Sequence, residues 1–136
     1  MAYTAQQIYN LTLGLMIETN TSSTDYRNNY LPILNTILSE CLSRENALRY
    51  RDGMEELAEA PNIQTMEETV PYHDELIRNV LPYGIGMFFF LGDDELERAT
   101  FFSTKYDENR DKYTPAVYVE TEEVYSWAMT LALLHN

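Results

Sequence analysis

Histidine and cysteine, the side chains that most often act as bases, nucleophiles or metal ligands near neutral pH, are scarce in this sequence. The two histidines are His73 and His135, and the single cysteine is Cys41. A zinc or iron site needs several nitrogen or sulfur ligands, and a hydrolase triad needs a histidine beside its serine. His73 stands at a predicted helix start, where we expect it to be exposed or to cap the helix. We therefore predict no catalytic residue, no metal site and no cofactor.

Three other candidate sites have simpler structural interpretations. Cys41 falls on an apolar helix stripe and is expected to be a small buried residue. The acidic run at 93–97 lacks the spacing of a calcium-binding loop, whereas Asp94 and Glu97 fit a helix capping box. Gly84-Ile85-Gly86 has no third glycine and no following Lys-Ser or Lys-Thr, so we expect helix packing there and not phosphate binding. An enzyme whose catalytic groups are all carboxylates is one further hypothesis. No feature of the sequence, however, singles out a particular pair of carboxylates.

Length and charge restrict the class of protein. The chain has 136 residues, which fits one domain, and its 9 basic and 22 acidic residues give a net charge of -13. Such a surface repels nucleic-acid phosphates and anionic membranes, so we expect neither as a partner. A single cysteine allows no internal disulfide, and we expect no signal peptide or membrane span.

Apolar residues at helical spacing predict the first two helices. The first begins with a capping box, in which Thr4 is the N-cap and Gln7 lies three residues later. The second carries one continuous apolar stripe over residues 26–42. Pro32 lies inside this stripe, so either the helix begins near Leu31 or the proline kinks it.

An acidic connector is predicted over residues 54–71, with one helical turn at 54–57. The third helix is expected to begin within residues 72–74 and to extend past Pro82, which either begins it or kinks it. The short link at 92–93 predicts that the fourth helix runs antiparallel to the third.

Small residues on the third and fourth helices predict a close contact between them. Gly84 and Gly86 lack side chains, and Ala99 and Ser103 of the fourth helix are expected to lie opposite these glycines.

The C-terminal segment differs in character from the rest of the chain. Residues 117–119 are β-prone and predict a short extended stretch, and Thr121 is the expected N-cap of a terminal helix. That helix is too apolar on both faces to stand alone in water. We predict that seven residues of this segment contact other proteins: Val117, Tyr118, Val119, Val124, Trp127, Leu131 and Leu134.

The predicted fold is therefore all-α. We expect a small antiparallel bundle of four to five helices with a long acidic connector and a short extended C-terminal segment. The bundle core is assigned to residues 1–112. Residues 113–136 belong either to the same domain or to a contact between subunits.

Three stretches of the sequence resemble the small head–tail connector proteins of tailed bacteriophages, also called head-completion or neck adaptor proteins. They are residues 3–9, residues 30–40, and residues 81–87 with the following aromatic run and residues 99–106. Together these stretches cover most of residues 3–110, and all of them are packing patterns. The segment after Thr114 resembles the family least.

The resemblance implies a non-enzymatic structural protein of a phage or prophage. Such a protein would join a homo-oligomeric ring beneath the portal, bind the portal and neighbouring neck or tail proteins, and border the channel that DNA crosses. Its implied location is the head–tail junction of the virion, and the bacterial cytoplasm during assembly. The charge of -13 fits a wall along which DNA slides without binding.

The net charge also suggests an alternative function. An acidic decoy that mimics DNA could bind a basic nucleic-acid-binding protein, and this binding would be sensitive to salt. The acidic residues gather at helix starts and in the connector, which does not favour the regular spacing along one face that a mimic requires.

Overall fold

The computed structural model describes residues 2–17 and 24–115. The helices there are α1 (Ala5–Leu15), α2 (Thr24–Glu40), α3 (Leu42–Arg51), α4 (Asp74–Asn79), α5 (Leu81–Gly92) and α6 (Leu96–Lys112), and the strands are β1 (Tyr3–Thr4) and β2 (Thr69–Val70). This part of the chain is mainly helical, with one two-stranded sheet, which confirms the all-α prediction. The predicted C-terminal stretch and helix lie outside the described residues.

The capping box at the start of α1 is confirmed. The Thr4 hydroxyl accepts a hydrogen bond from the Gln7 backbone at 3.2 Å, and the Thr4 backbone donates to the Gln7 side chain at 2.9 Å. β1 pairs antiparallel with β2, so that Tyr3 lies opposite Val70. The start of α1 is therefore held against the end of the acidic connector.

The long apolar stripe belongs to two helices, α2 and α3, that are separated by Cys41. Pro32 lies inside α2, so the alternative that this helix begins near Leu31 is wrong. Cys41 is completely buried in the core, as predicted.

The predicted third helix is also two helices, with a break at Val80. Its backbone angles there, φ -123° and ψ -57°, leave the helical range. Pro82 stands in the first turn of α5, where a proline removes no intrahelical hydrogen bond. Pro82 therefore begins a helix, whereas Pro32 lies within one.

Close packing of α5 against α6 at the glycines is confirmed. A Cβ atom added to Gly86 would lie 2.6 Å from the ring of Phe102. One added to Gly84 would lie 2.8 Å from Ile37 Cδ1 and 2.9 Å from the Tyr106 ring. Because the later glycine meets the earlier aromatic residue, the two helices run antiparallel, as predicted.

The residues opposite the glycines are not those that we predicted. Two aromatic rings, Phe102 and Tyr106, fill the space that the missing side chains leave. Ala99 is buried and Ser103 is half-buried, and neither provides the atoms nearest to the two glycines. The glycines thus accommodate large rings, because a flat ring packs directly on exposed helix backbone.

The predicted capping box at the start of α6 is wrong. Glu95 is the N-cap residue and makes no side-chain capping bond. Asp94 instead adopts a left-handed conformation with φ 61° in the turn after α5, which carries it away from the capping position. Aspartate tolerates this conformation better than most residues do.

The predicted helical turn at 54–57 is also wrong, because the connector has no regular secondary structure there. The side chain of Asn46 accepts from the Leu57 backbone at 2.8 Å and donates to its carbonyl at 3.0 Å. Asn35 makes the same pair of bonds with Ile63, at 2.8 and 3.0 Å. Two asparagines therefore satisfy the connector backbone in place of a local helix, and Ile63 is buried in the core.

Candidate functional site

A buried carboxylate that sequence reasoning missed lies between α3 and the start of α4. Glu45 is completely buried, and its oxygens accept hydrogen bonds from the His73 backbone at 2.7 Å and from Arg49 Nε at 2.7 Å. His73 Nδ1 lies 2.9 Å from the same carboxylate. Its helical spacing could have indicated that Glu45 is buried, since Glu45 follows Cys41 by four residues and so continues the apolar stripe.

His73 is held between two carboxylates. Its Nδ1 faces Glu45, and its Nε2 lies 2.7 Å from Asp52 Oδ2. Burial disfavours the charged ring, but the hydrogen bonds to Glu45 and Asp52 outweigh burial and raise the pKa of His73. Hydrogen bonds from Arg51, and then from His73, lower the pKa of Asp52 to about 2.

The prediction for His73 is therefore only partly right. The residue occupies the N-cap position of α4, but its side chain makes no capping bond to that helix. The side chain is 13% exposed, so it is largely buried and not a surface group. The carboxylate of Glu45 replaces solvent as the partner of the ring.

This charge cluster joins the two ends of the connector to α3. Arg49 also donates to the backbone carbonyls of Glu55 at 3.1 Å and Pro71 at 2.7 Å. A general base needs a lone pair that is directed at a substrate, and both nitrogens of His73 face carboxylates. We assign the cluster a structural role. No three His, Cys, Asp or Glu side chains in residues 2–17 and 24–115 are placed to hold a metal ion.

Cys41 has the surroundings of a core residue. Its sulfur lies 3.5 Å from the hydroxyl of Tyr106, which donates to Glu40 at 2.7 Å. Burial raises the pKa of the Cys41 thiol, which disfavours the nucleophilic thiolate.

The most unusual surface of the described residues is apolar. Five of the seven large hydrophobic residues that are exposed there lie at one end of the bundle, which we call the apolar end: Leu15, Ile17, Leu91, Leu96 and Phe101. They belong to the end of α1, the end of α5 and the first half of α6. Leu15, Ile17 and Phe101 line one groove, which places the end of α1 beside the first half of α6. Ile17 is 87% exposed and Phe101 is 57% exposed.

Two adjoining grooves open beside this end, and Leu15 lines both of them. The first, of about 660 Å³, extends along α1 to Arg78 and Asn79. The second, of about 440 Å³, lies between the end of α1 and the start of α6 and includes Phe90 and Phe101.

The seven predicted contact residues fall in the part of the chain that the structure does not describe: Val117, Tyr118, Val119, Val124, Trp127, Leu131 and Leu134. Their assignment stays a prediction. The apolar end is a surface that sequence reasoning missed. Leu96 falls at helical spacing with the buried Ala99, Phe102 and Tyr106, and Phe101 is next to Phe102, so residue type and spacing did not separate buried from exposed positions.

Comparison with protein-family models, curated proteins and solved structures finds no match to this chain. None of the helices in residues 2–17 and 24–115 has the length and apolar character needed to span a membrane. The class that the described residues define is thus an all-α bundle with a buried charge cluster and an exposed apolar end.

Proposed function

We propose that this protein is a non-enzymatic adaptor that binds other proteins, and that it serves as a head–tail connector subunit in a tailed phage. The observation that carries the protein-binding part is the apolar end. The phage assignment is supported by the resemblance of residues 3–9, 30–40, 81–87 and 99–106 to connector proteins. The proposed partners are the portal and neighbouring neck or tail proteins, together with further copies of the chain in a ring.

The apolar end supports a binding role because of the charge that surrounds it. A chain of net charge -13 repels copies of itself and most acidic proteins. Clustered large hydrophobic side chains on such a surface mark a site of protein interaction. Leu91 is 48% exposed and Leu96 is 61% exposed, and both flank the turn between α5 and α6. A partner that covers this turn would bury both leucines.

The net charge also suits a position beside DNA. A wall of carboxylates does not bind the phosphate backbone, so DNA can pass it without being held. The adaptor proposal therefore requires no nucleic-acid affinity of the chain itself.

The first test is the position of the gene. A place just after terminase, portal and major capsid genes supports the proposal. A place among early or host-takeover genes, or outside any prophage, contradicts it.

The second test is capture of the portal and neck proteins encoded beside the gene, after co-expression with the full chain. We expect capture by the wild type and its loss in Leu91→Ser/Leu96→Ser, because the substitution removes apolar contact area. Tyr50→Ser is the matched control, since Tyr50 is 64% exposed on α3, away from this end. It should bind normally.

Two results would contradict the adaptor proposal. One is failure of the wild type to capture any neighbouring structural protein. The other is capture of a basic nucleic-acid-binding protein that high salt abolishes and that the leucine substitutions leave unchanged. The second result would support the acidic decoy.

A further inference from the structure

The first of the two grooves beside the apolar end has a lining that differs in charge from the rest of the chain. It follows one face of α1 from Gln7 to Leu15, eight positions that span roughly 12 Å, and reaches Arg78 and Asn79 of α4. None of its lining residues is acidic, although 22 of the 136 residues of the chain are. Arg78 is exposed and gives the groove one positive charge. We call this site the Arg78 groove.

The polar side chains of the Arg78 groove present hydrogen-bond donors. No described residue accepts a hydrogen bond from the Arg78 guanidinium or forms an ion pair with it. The side-chain oxygen of Gln7 accepts from the Thr4 backbone at 2.9 Å. The side-chain oxygen of Asn10 accepts from Gln6 Nε2 at 3.0 Å. These bonds leave the amide nitrogens of Gln7 and Asn10 as donors, and an arginine with two amides is a set of donors that suits a carboxylate.

The rest of the groove along α1 is apolar and includes a glycine without a packing role. Leu11 is half-buried and Leu15 is 40% exposed. Gly14 lines the groove with them, and no atom of the described residues lies within 4 Å of a Cβ atom built on it. Glycine destabilises a helix relative to alanine, and no contact within the described residues requires it here. The missing side chain leaves open space in the groove that a ligand can fill.

Volume and charge restrict the class of ligand. The volume of about 660 Å³ lies within the range of small-molecule sites, which is ~300–1,000 Å³. One guanidinium balances one carboxylate, whereas the net charge of -13 opposes the approach of a nucleotide or another polyanion. The leucines and the space at Gly14 suit a hydrocarbon chain. A ligand that meets these conditions carries a single carboxylate on an apolar chain.

We propose that the Arg78 groove binds a small amphipathic carboxylate. The carboxylate of the ligand accepts hydrogen bonds from Arg78 and from the amide nitrogens of Gln7 and Asn10. The apolar chain of the ligand lies against Leu11 and over Gly14. This binding does not depend on the adaptor function.

Titration of the full chain with decanoate, followed by nitrogen–proton correlation NMR, tests the proposal. We expect saturable shifts of the α1 amides that line the groove. Decanol has an apolar chain of the same length without the charge, and it should bind at least ~10-fold more weakly. Arg78→Gln should weaken the binding of decanoate by a similar factor. Gly14→Leu should also weaken it, because the added side chain occupies the groove.

Folding of the variants is checked by their thermal midpoints. Arg78 and Gly14 are both exposed, so we expect both variants to keep the midpoint of the wild type or exceed it. Lys105→Gln is the matched control for charge, since Lys105 also forms no ion pair within the described residues and lines neither groove. It should bind decanoate as the wild type does.

Three results would overturn the proposal. The first is a titration in which decanoate produces no saturable shifts at the groove, and the second is decanol that binds as tightly as decanoate. The third is unchanged binding of decanoate in both Arg78→Gln and Gly14→Leu. Leu91 and Leu96 do not line the groove, so none of these results bears on capture of the portal. The two proposals therefore fail separately.

Discussion

At the scale of single residues, the charge cluster around Glu45 contains the groups whose titration is expected to change the stability of the fold. Glu45 is buried without contact with water, and a buried charge is tolerated only when it is paired and hydrogen-bonded. Arg49 and His73 supply that pairing. A hydrogen bond from Arg51 also lowers the pKa of Glu75, so the cluster extends to the surface of α4.

The first residue-scale prediction is a pH dependence of stability that comes from His73. Its pKa is raised on folding, so its contribution is fully present below the unfolded value and is lost as pH rises through the folded value. His73→Gln should lower the free energy of unfolding by ~1–3 kcal/mol at about pH 5.5, and by less at about pH 9. Urea denaturation at both pH values measures this difference.

The matched control for this prediction is His135→Gln, which removes the only other histidine. It should leave the pH dependence of the wild type intact. An equal loss of stability at both pH values in His73→Gln would show that the ring acts by packing and not by charge. Asp52 contributes in the opposite direction, since its stabilisation is lost only as pH falls from its ordinary value of 3.8 towards about 2.

At the scale of elements, the contact between α5 and α6 depends on two missing side chains. Phe102 packs edge-on against Tyr83 and against Phe90, with ring centroids 5.3 and 5.0 Å apart, so its ring has little room to move. The ring also lies directly over Gly86. A methyl group at that position would force the two helices apart.

The element-scale prediction compares two helical glycines. Gly86→Ala should destabilise the protein by ~1–3 kcal/mol, because the added carbon overlaps the Phe102 ring. Gly14→Ala is the control, since nothing lies within 4 Å of its added carbon, and it should stabilise α1 by ~0.5–1 kcal/mol. Thermal unfolding of both variants tests this. Equal effects of the two substitutions would contradict the close packing at Gly86.

At the scale of the whole molecule, the apolar end and the large negative charge have opposite effects on association with other proteins. The charge repels further copies unless apolar contacts between them outweigh it, whereas the exposed leucines favour association with a partner that can cover them. A partner surface that is apolar at its centre and not strongly acidic satisfies both conditions.

The whole-molecule prediction concerns salt. Raising ionic strength from ~0.01 M to ~0.15 M shortens the Debye length from ~30 Å to ~8 Å and so weakens repulsion among the 22 acidic residues. We expect the thermal midpoint of the isolated chain to rise. The buried pairs of Glu45 are screened less, so they should not reverse this trend. A falling midpoint would mean that exposed ion pairs such as Arg51–Glu75 outweigh the repulsion.

The sequence predicted the helical class, the capping box at Thr4 and Gln7, the buried Cys41 and the glycine contact between α5 and α6. Each of these follows from spacing within about one helical turn, or from a residue type with a single strong preference. The sequence did not predict the helix breaks at Cys41 and Val80, because apolar periodicity continues across both positions. The sequence also predicted a capping box at Asp94, where the backbone instead adopts a left-handed conformation.

What the sequence determined by itself is which faces of the helices are apolar and how much net charge surrounds them. Only the tertiary structure decided which of those apolar residues remain exposed, since Phe101 and Phe102 are alike in type and differ only in the direction they face. It also decided that Glu45 and His73, 28 residues apart, form a buried pair. The physical reason is that burial and pairing depend on which helices meet, and that choice is made by packing between segments that are distant in the sequence.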